Sequence, residues 1–212
     1  MKTASPVILP TAYHPSIFYF VLLHHQPRVV IDIYEHYYKQ TYRNRAIIYG
    51  PGGKQTLSIP IISGRSLRMP VHDVQISYTE HWQHQHLRAI DTAYHSAPFF
   101  EIVFPDIEYI IQKQHRYLWE LNKELLEYYL SLLHLDVSIV YSTEYIENQD
   151  DAFVDFRKIY SPKTNYAAKY DFLNKPYYQV FAIDKSFIPE LSILDLVMHL
   201  GHEAGYYIRT II

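Results

Sequence analysis

The polar side chains Asp32, His36, Lys39, Arg43, Asn44 and Arg45 crowd into one stretch at the end of a β-branched run. Two arginines flanking an asparagine can hold a phosphate or a carboxylate in bidentate geometry. A histidine beside them can serve as a base, and an aspartate can orient a histidine. The plainer reading of Arg43 and Arg45 is an exposed hairpin face, salt-bridged or solvated. A second cluster is His81, His84 and His86, followed by Asp91 and His95. Helical spacing brings only pairs of these together, whereas a zinc site needs three or four converging ligands. The stripe therefore reads first as a solvated helix face, with no metal expected. His86 is the exception. It lies four residues after Trp82 on the apolar face, where burial would tune a general base. His14 sits at a helix start, where free backbone N–H groups attract an anion; a cap or surface role is the plainer reading. Ser192 with Asp195 is accounted for as a helix cap. Asp155-Phe-Arg157 is too short a pattern to carry meaning alone. No Gly-x-Ser-x-Gly elbow, Walker loop, dinucleotide fingerprint or His-Glu-x-x-His occurs.

The elements that would position these residues follow from periodicity. Val7 to Tyr13 reads as a strand, Pro15 to His25 as a helix with proline at its first turn, and Arg28 to Ile33 as a second, β-branched strand. That order predicts a right-handed βαβ unit, with His14 and Asp32 near the ends of its parallel strands. Thr41 to Tyr49 and Lys54 to Ile62 flank Gly50-Pro51-Gly52-Gly53, a hairpin signal. Val71 to Ser77 reads as a further strand, and Ser77 with Glu80 as a capping box opening a helix to about Ala97. Phe99 to Phe104 is a short aromatic segment. Asp106 to Leu133 repeats apolar residues at helical spacing, with a possible break near Gln114. Val137 to Ser142 reads as a strand, and residues 147–178 as a long irregular segment. Gly201 ends the helix capped by Ser192, and Glu203 to Ile212 forms another. The fold expected is α/β, with mixed α+β as the alternative: one domain over residues 1–212, a central mixed sheet, an N-terminal βαβ unit, a hairpin and long flanking helices.

The bulk composition narrows the function. The chain has 212 residues, 49% hydrophobic and 19% charged, which is ordinary for a globular domain. A formal net charge of −3 disfavours nucleic acid as a partner. The absence of cysteine removes disulfides, zinc–thiolate sites and cysteine nucleophiles. Met1 to Pro6 has one lysine and no long apolar core, so no secretory leader is expected. The longest apolar runs, such as Ile17 to Leu23, fall far below the ~20 residues of a membrane span. The compartment expected is the cytoplasm. The 22 tyrosines and 13 histidines suit a core and rim of amphipathic aromatics, or a stacking site for a sugar or base.

Several segments together resemble the WbqC-like protein family: Leu9-Pro10 with Tyr13, Tyr19 and Phe20; Lys39 to Arg45 through Ile47; Leu57 to Pro60; Asp73 to Ile76; Trp82 with His86, Ile90 and Tyr94; Pro98 to Glu101; Leu121-Asn122; and Leu191 to Leu196 with Gly201. The resemblance departs at Ala46, where many members carry a cysteine, and over Tyr145 to Tyr178. The family takes its name from O-antigen gene clusters, so the resemblance implies work on sugar nucleotides or their acylated derivatives. It adds weight to Arg43, Asn44, Arg45, Trp82 and His86. The expectation is a transferase taking a small anionic substrate of the sugar-nucleotide type and needing no cofactor. In it His86, His36 and Asp32 carry catalysis, and Arg43, Asn44, Arg45, Lys39, His14 and Trp82 bind. A non-catalytic scaffold protein and a metal-dependent hydrolase are the alternatives.

Overall fold

The computed structural model describes residues 6–26, 28–62, 69–147, 152–182 and 186–212. Strand β1 (Val7–Leu9), helix α1 (Ile17–His25) and strand β2 (Val29–Ile31) form the βαβ unit that the sequence predicts, with Val7 opposite Val29 and Leu9 opposite Ile31 in parallel register. Both strands are buried along their whole length, as continuous apolar runs must be in a sheet covered on both faces. β1 ends earlier than the sequence reading, because Pro10 has no N–H to continue the ladder. α1 is apolar all round and buried from Ile17 to Leu23, so it lies inside the molecule, against α6 (Ile193–Leu200) and α7 (Glu203–Thr210).

Two further strands complete the sheet in the order β5-β2-β1-β6: β5 (Ile139–Tyr141) beside β2, and β6 (Val154–Asp155) beside β1, all parallel. The hairpin, β3 (Arg45–Gly50) and β4 (Gly53–Ser58), forms its own antiparallel ladder and does not join them. Gly53 turns it at φ 108°, a value open to glycine.

The helices correct three boundaries. Val71 to Ser77 is not a strand. It is a 3₁₀ turn at Val71–Asp73 plus single bridges at Gln75 and Ile76, and the loop carbonyls of Glu35 and Ile33 take the Val71 and His72 N–H groups. The Ser77–Glu80 capping box does not form: Ser77 Oγ pairs with Thr79, and α2 runs from Trp82 to Tyr94, stopping before Pro98. The aromatic segment belongs to α3 (Phe100–Gln112), and α4 (Leu118–Leu132) follows a break at residues 113–117, where Lys113 and His115 both bond to Glu124. Within 147–178, residues 148–151 lie outside the described set. The described part holds β6, helix α5 (Tyr166–Lys169) and a 3₁₀ turn at Asp171–Asn174. Among the described residues no helix is long and apolar enough to cross a membrane.

Candidate functional site

The carboxyl ends of β2, β5 and β6 converge on a buried set of charges. The strand order departs from β1 in both directions, and ligands in open α/β sheets collect beyond strand ends of this kind. Asp32 follows β2 directly and is fully buried. It accepts from Ser142 Oγ at 2.8 Å, just past the end of β5, from Tyr34 N at 3.0 Å, and from Arg157 Nη1 at 2.5 Å. Asp155, the last residue of β6, takes the other side of the same guanidinium, with Arg157 Nη2 at 2.7 Å and Nε at 3.0 Å. Burial pushes the Asp155 carboxyl up, but the Arg157 bonds outweigh it and hold it below the ordinary range. Arg157 thus clamps β6 to β2 across β1, and its Nη1 also caps the Ile146 carbonyl at 2.7 Å.

A second arginine repeats the device. Arg43, 1% exposed, binds Glu35 in a bidentate fork, Nε to Oε1 at 2.9 Å and Nη2 to Oε2 at 2.5 Å. Its Nη2 also donates to the Arg157 carbonyl at 2.8 Å, which joins the two pairs. Burial raises the Glu35 carboxyl to about 7, against the opposing pull of Arg43. Asn44 and Asn122 hold this stretch in place: Asn122 Nδ2 donates to the Arg43 carbonyl and Asn44 Nδ2 to the Ile59 carbonyl, each at 2.8 Å.

Glu35, Asp155 and Arg157 of these pairs reach a cleft of about 290 Å³, which His36, Tyr38, Tyr145 and Lys158 complete, while Asp32 and Arg43 lie buried beneath it. His36 and Lys158 are exposed at its rim. The Tyr38 ring lies 5.4 Å from the Arg43 guanidinium and the Tyr145 ring 5.1 Å from that of Arg157. His36 stacks on Tyr145 at 6.0 Å. Acceptor carboxylates, two rim groups able to carry positive charge and two aromatic rings suit a polar, anionic, ring-bearing ligand.

Of the residues singled out in the sequence, Asp32, His36 and Arg43 meet here. The others do not. Arg45 begins β3 opposite Ser58, and its Nε is buried with no partner among the described residues. Lys39 is exposed in the turn before Gln40. His14, fully buried at φ 39°, pairs through Nδ1 with Tyr129 Oη at 2.5 Å. Burial lowers its pKa to about 3. His86 is 5% exposed, and burial lowers its pKa to about 4. Its Nε2 accepts from Ser58 N at 3.2 Å, so the neutral ring carries its proton on Nδ1 and donates it to Tyr13 Oη at 3.0 Å. Trp82 packs edge-on against that ring at 5.1 Å. His81, His84 and Asp91 line a separate groove of about 460 Å³ between α2 and α3. Among the described residues no three His, Asp or Glu side chains converge on a metal position.

Glu35, Tyr38, Tyr145 and Lys158 were not singled out in the sequence, and Asp155 and Arg157 were named there but set aside. The signal available was Asp155-Phe-Arg157, whose alternation puts both charges on one side of an extended segment.

The sequence model of the WbqC-like protein family matches residues 11–170. The uncharacterized protein Rv1507c of Mycobacterium tuberculosis is 26% identical, over 95% of this chain and 96% of its own. No solved structure matches.

Proposed function

The chain belongs to the WbqC-like protein family, and from that premise we propose that it is a transferase acting on a small anionic substrate of the sugar-nucleotide type in surface-polysaccharide assembly. The observation that carries the reading is the cleft itself: two buried arginine–carboxylate pairs at parallel strand ends, opening on His36, Lys158 and two tyrosines. Arg43 is committed to Glu35, so the anion contact moves to Lys158 at the rim. His36 takes the proton of an acceptor hydroxyl as that oxygen forms its bond to the transferred group. The leaving phosphate departs with the bonding electrons toward Lys158. Asp32 acts at one remove, by fixing Arg157. His86 is left out because both its ring nitrogens are engaged inside the fold.

A second reading, a non-catalytic binding protein of the same pathway, is favoured by one feature. Asp32, Asp155, Glu35, Arg43 and Arg157 are all neutralised by one another, whereas catalytic groups are more often left reactive. A thermal-shift panel of nucleotide sugars, acyl-CoAs and divalent metals on wild type and Lys158→Ala separates the two. A ligand at ~100 times its dissociation constant stabilises by about 2.7 kcal/mol. The transferase reading expects a nucleotide-sugar shift that the variant loses, followed by slow consumption of that ligand. Binding without consumption in the presence of acceptor alcohols favours the second reading.

A further inference from the structure

We propose that the strand-end cleft takes a hydroxylated six-membered ring bearing a phosphate, with the ring held by Tyr38 and Tyr145 and the phosphate at Lys158. The inference rests on the reading above and names the part of the substrate that enters.

Tyr38 and Tyr145 are 43% and 48% exposed, and His36, which stacks on Tyr145 at 6.0 Å, is itself exposed and yields that ring to a ligand. An exposed tyrosine normally samples several rotamers, and ordering it costs affinity. Here each ring has a guanidinium set against it, 5.4 Å for Arg43 and 5.1 Å for Arg157. Those guanidiniums are themselves fixed: both arginines are at most 5% exposed and are held by carboxylates. The buried ion pairs therefore have a task at the surface. They hold two aromatic platforms in place before a ligand arrives.

The chemistry of the walls selects the ring. Asp155, held ionised by Arg157 and partly exposed, accepts hydrogen bonds and donates none. A polyol ring offers it hydroxyl donors and offers a tyrosine an apolar C–H face. A nucleobase presents acceptor atoms along with its donors, and these would face the carboxylate unfavourably. The size agrees, since about 290 Å³ lies at the low end of ligand pockets, enough for one ring with the remainder of a larger substrate outside. Lys158 lines the cleft and is exposed, so its ammonium is free to meet that phosphate.

The test is calorimetric titration with a hexose 1-phosphate, uridine monophosphate and inorganic phosphate on wild type, Tyr145→Ala, Tyr145→Phe and Lys158→Ala. The expected result is saturable binding of the hexose phosphate. Tyr145→Ala should weaken it at least about tenfold, and Tyr145→Phe should stay within about threefold, because the ring face and not the hydroxyl makes the contact. Lys158→Ala should weaken it and flatten its salt dependence. Three results would overturn the inference: Tyr145→Ala binding like wild type, inorganic phosphate binding as tightly as the sugar phosphate, or uridine monophosphate binding where the hexose phosphate does not. The last leaves the transferase reading standing. Failure of all three probes, together with no nucleotide-sugar shift in the thermal panel, removes both.

Discussion

Replacing Arg157 with methionine keeps much of the side-chain volume and removes the charge that joins β6 to β2. Its partner Asp32 is 0% exposed and, among the described residues, would keep only neutral donors, Ser142 Oγ and the backbone N–H groups of Tyr34 and Ile146. Breaking a buried pair by removing one member costs about 3–5 kcal/mol, because the remaining charge stays out of water. Asp155 adds little: its side chain is 26% exposed and rehydrates. For a chain of this size that loss lowers Tm by roughly 6–20 °C, at about 2–4 °C per kcal/mol. Asp32→Asn in the same chain removes the stranded charge, so the double variant should recover at least about 2 kcal/mol relative to the sum of the singles. Urea unfolding of wild type, both singles and the double closes the cycle. Arg157→Met within about 1 kcal/mol of wild type, or strict additivity of the two changes, would refute the claim that this pair anchors the strand ends.

Other consequences can be checked in the same apparatus. His86 folds with its pKa lowered from 6.5 to about 4, so the folded state binds fewer protons than the unfolded. Its contribution is present above pH 6.5 and is lost as pH falls toward 4, up to about 3 kcal/mol at ~1.4 kcal/mol per unit. The slope of unfolding free energy between pH 6.5 and 4.5 should flatten in His86→Gln; an unchanged slope counts against it. Alanine for glycine in a helix usually stabilises by about 1 kcal/mol. At Gly205 a Cβ would sit 2.0 Å from the Leu133 carbonyl oxygen, so Gly205→Ala should instead destabilise by about 1–3 kcal/mol. A stabilised variant would contradict that packing. Ser192 Oγ caps Leu194 N at 3.2 Å and donates to the His14 carbonyl at 2.9 Å. Ser192→Ala should cost about 1–2 kcal/mol in urea.

How much was legible from the sequence divides along physical lines. The βαβ unit, the glycine hairpin, β5, the Ser192 cap and the Gly201 stop rest on local signals that tertiary contacts did not override. The Val71–Ser77 strand failed because β-branched residues there find loop carbonyls as backbone partners. β6 escaped because two residues carry no periodicity; only their place beside β1 makes them a strand. The site was half visible. Asp32, His36 and Arg43 stand out by type and closeness in sequence. Arg157 lies more than a hundred residues away, and nothing local tells that its partner is Asp32. The reading of Arg43 and Arg45 as one exposed hairpin face fails because Arg43 precedes β3, where its side chain turns inward to Glu35.

The most direct test of the central claim is a crystal structure of the chain with whichever nucleotide sugar stabilises it most in the thermal panel. The account predicts density for its sugar phosphate against Tyr38, Tyr145 and Lys158, with the Arg43–Glu35 and Arg157–Asp32 pairs intact beneath. Density in the α2–α3 groove beside His81 and His84, with the strand-end cleft empty, would contradict it.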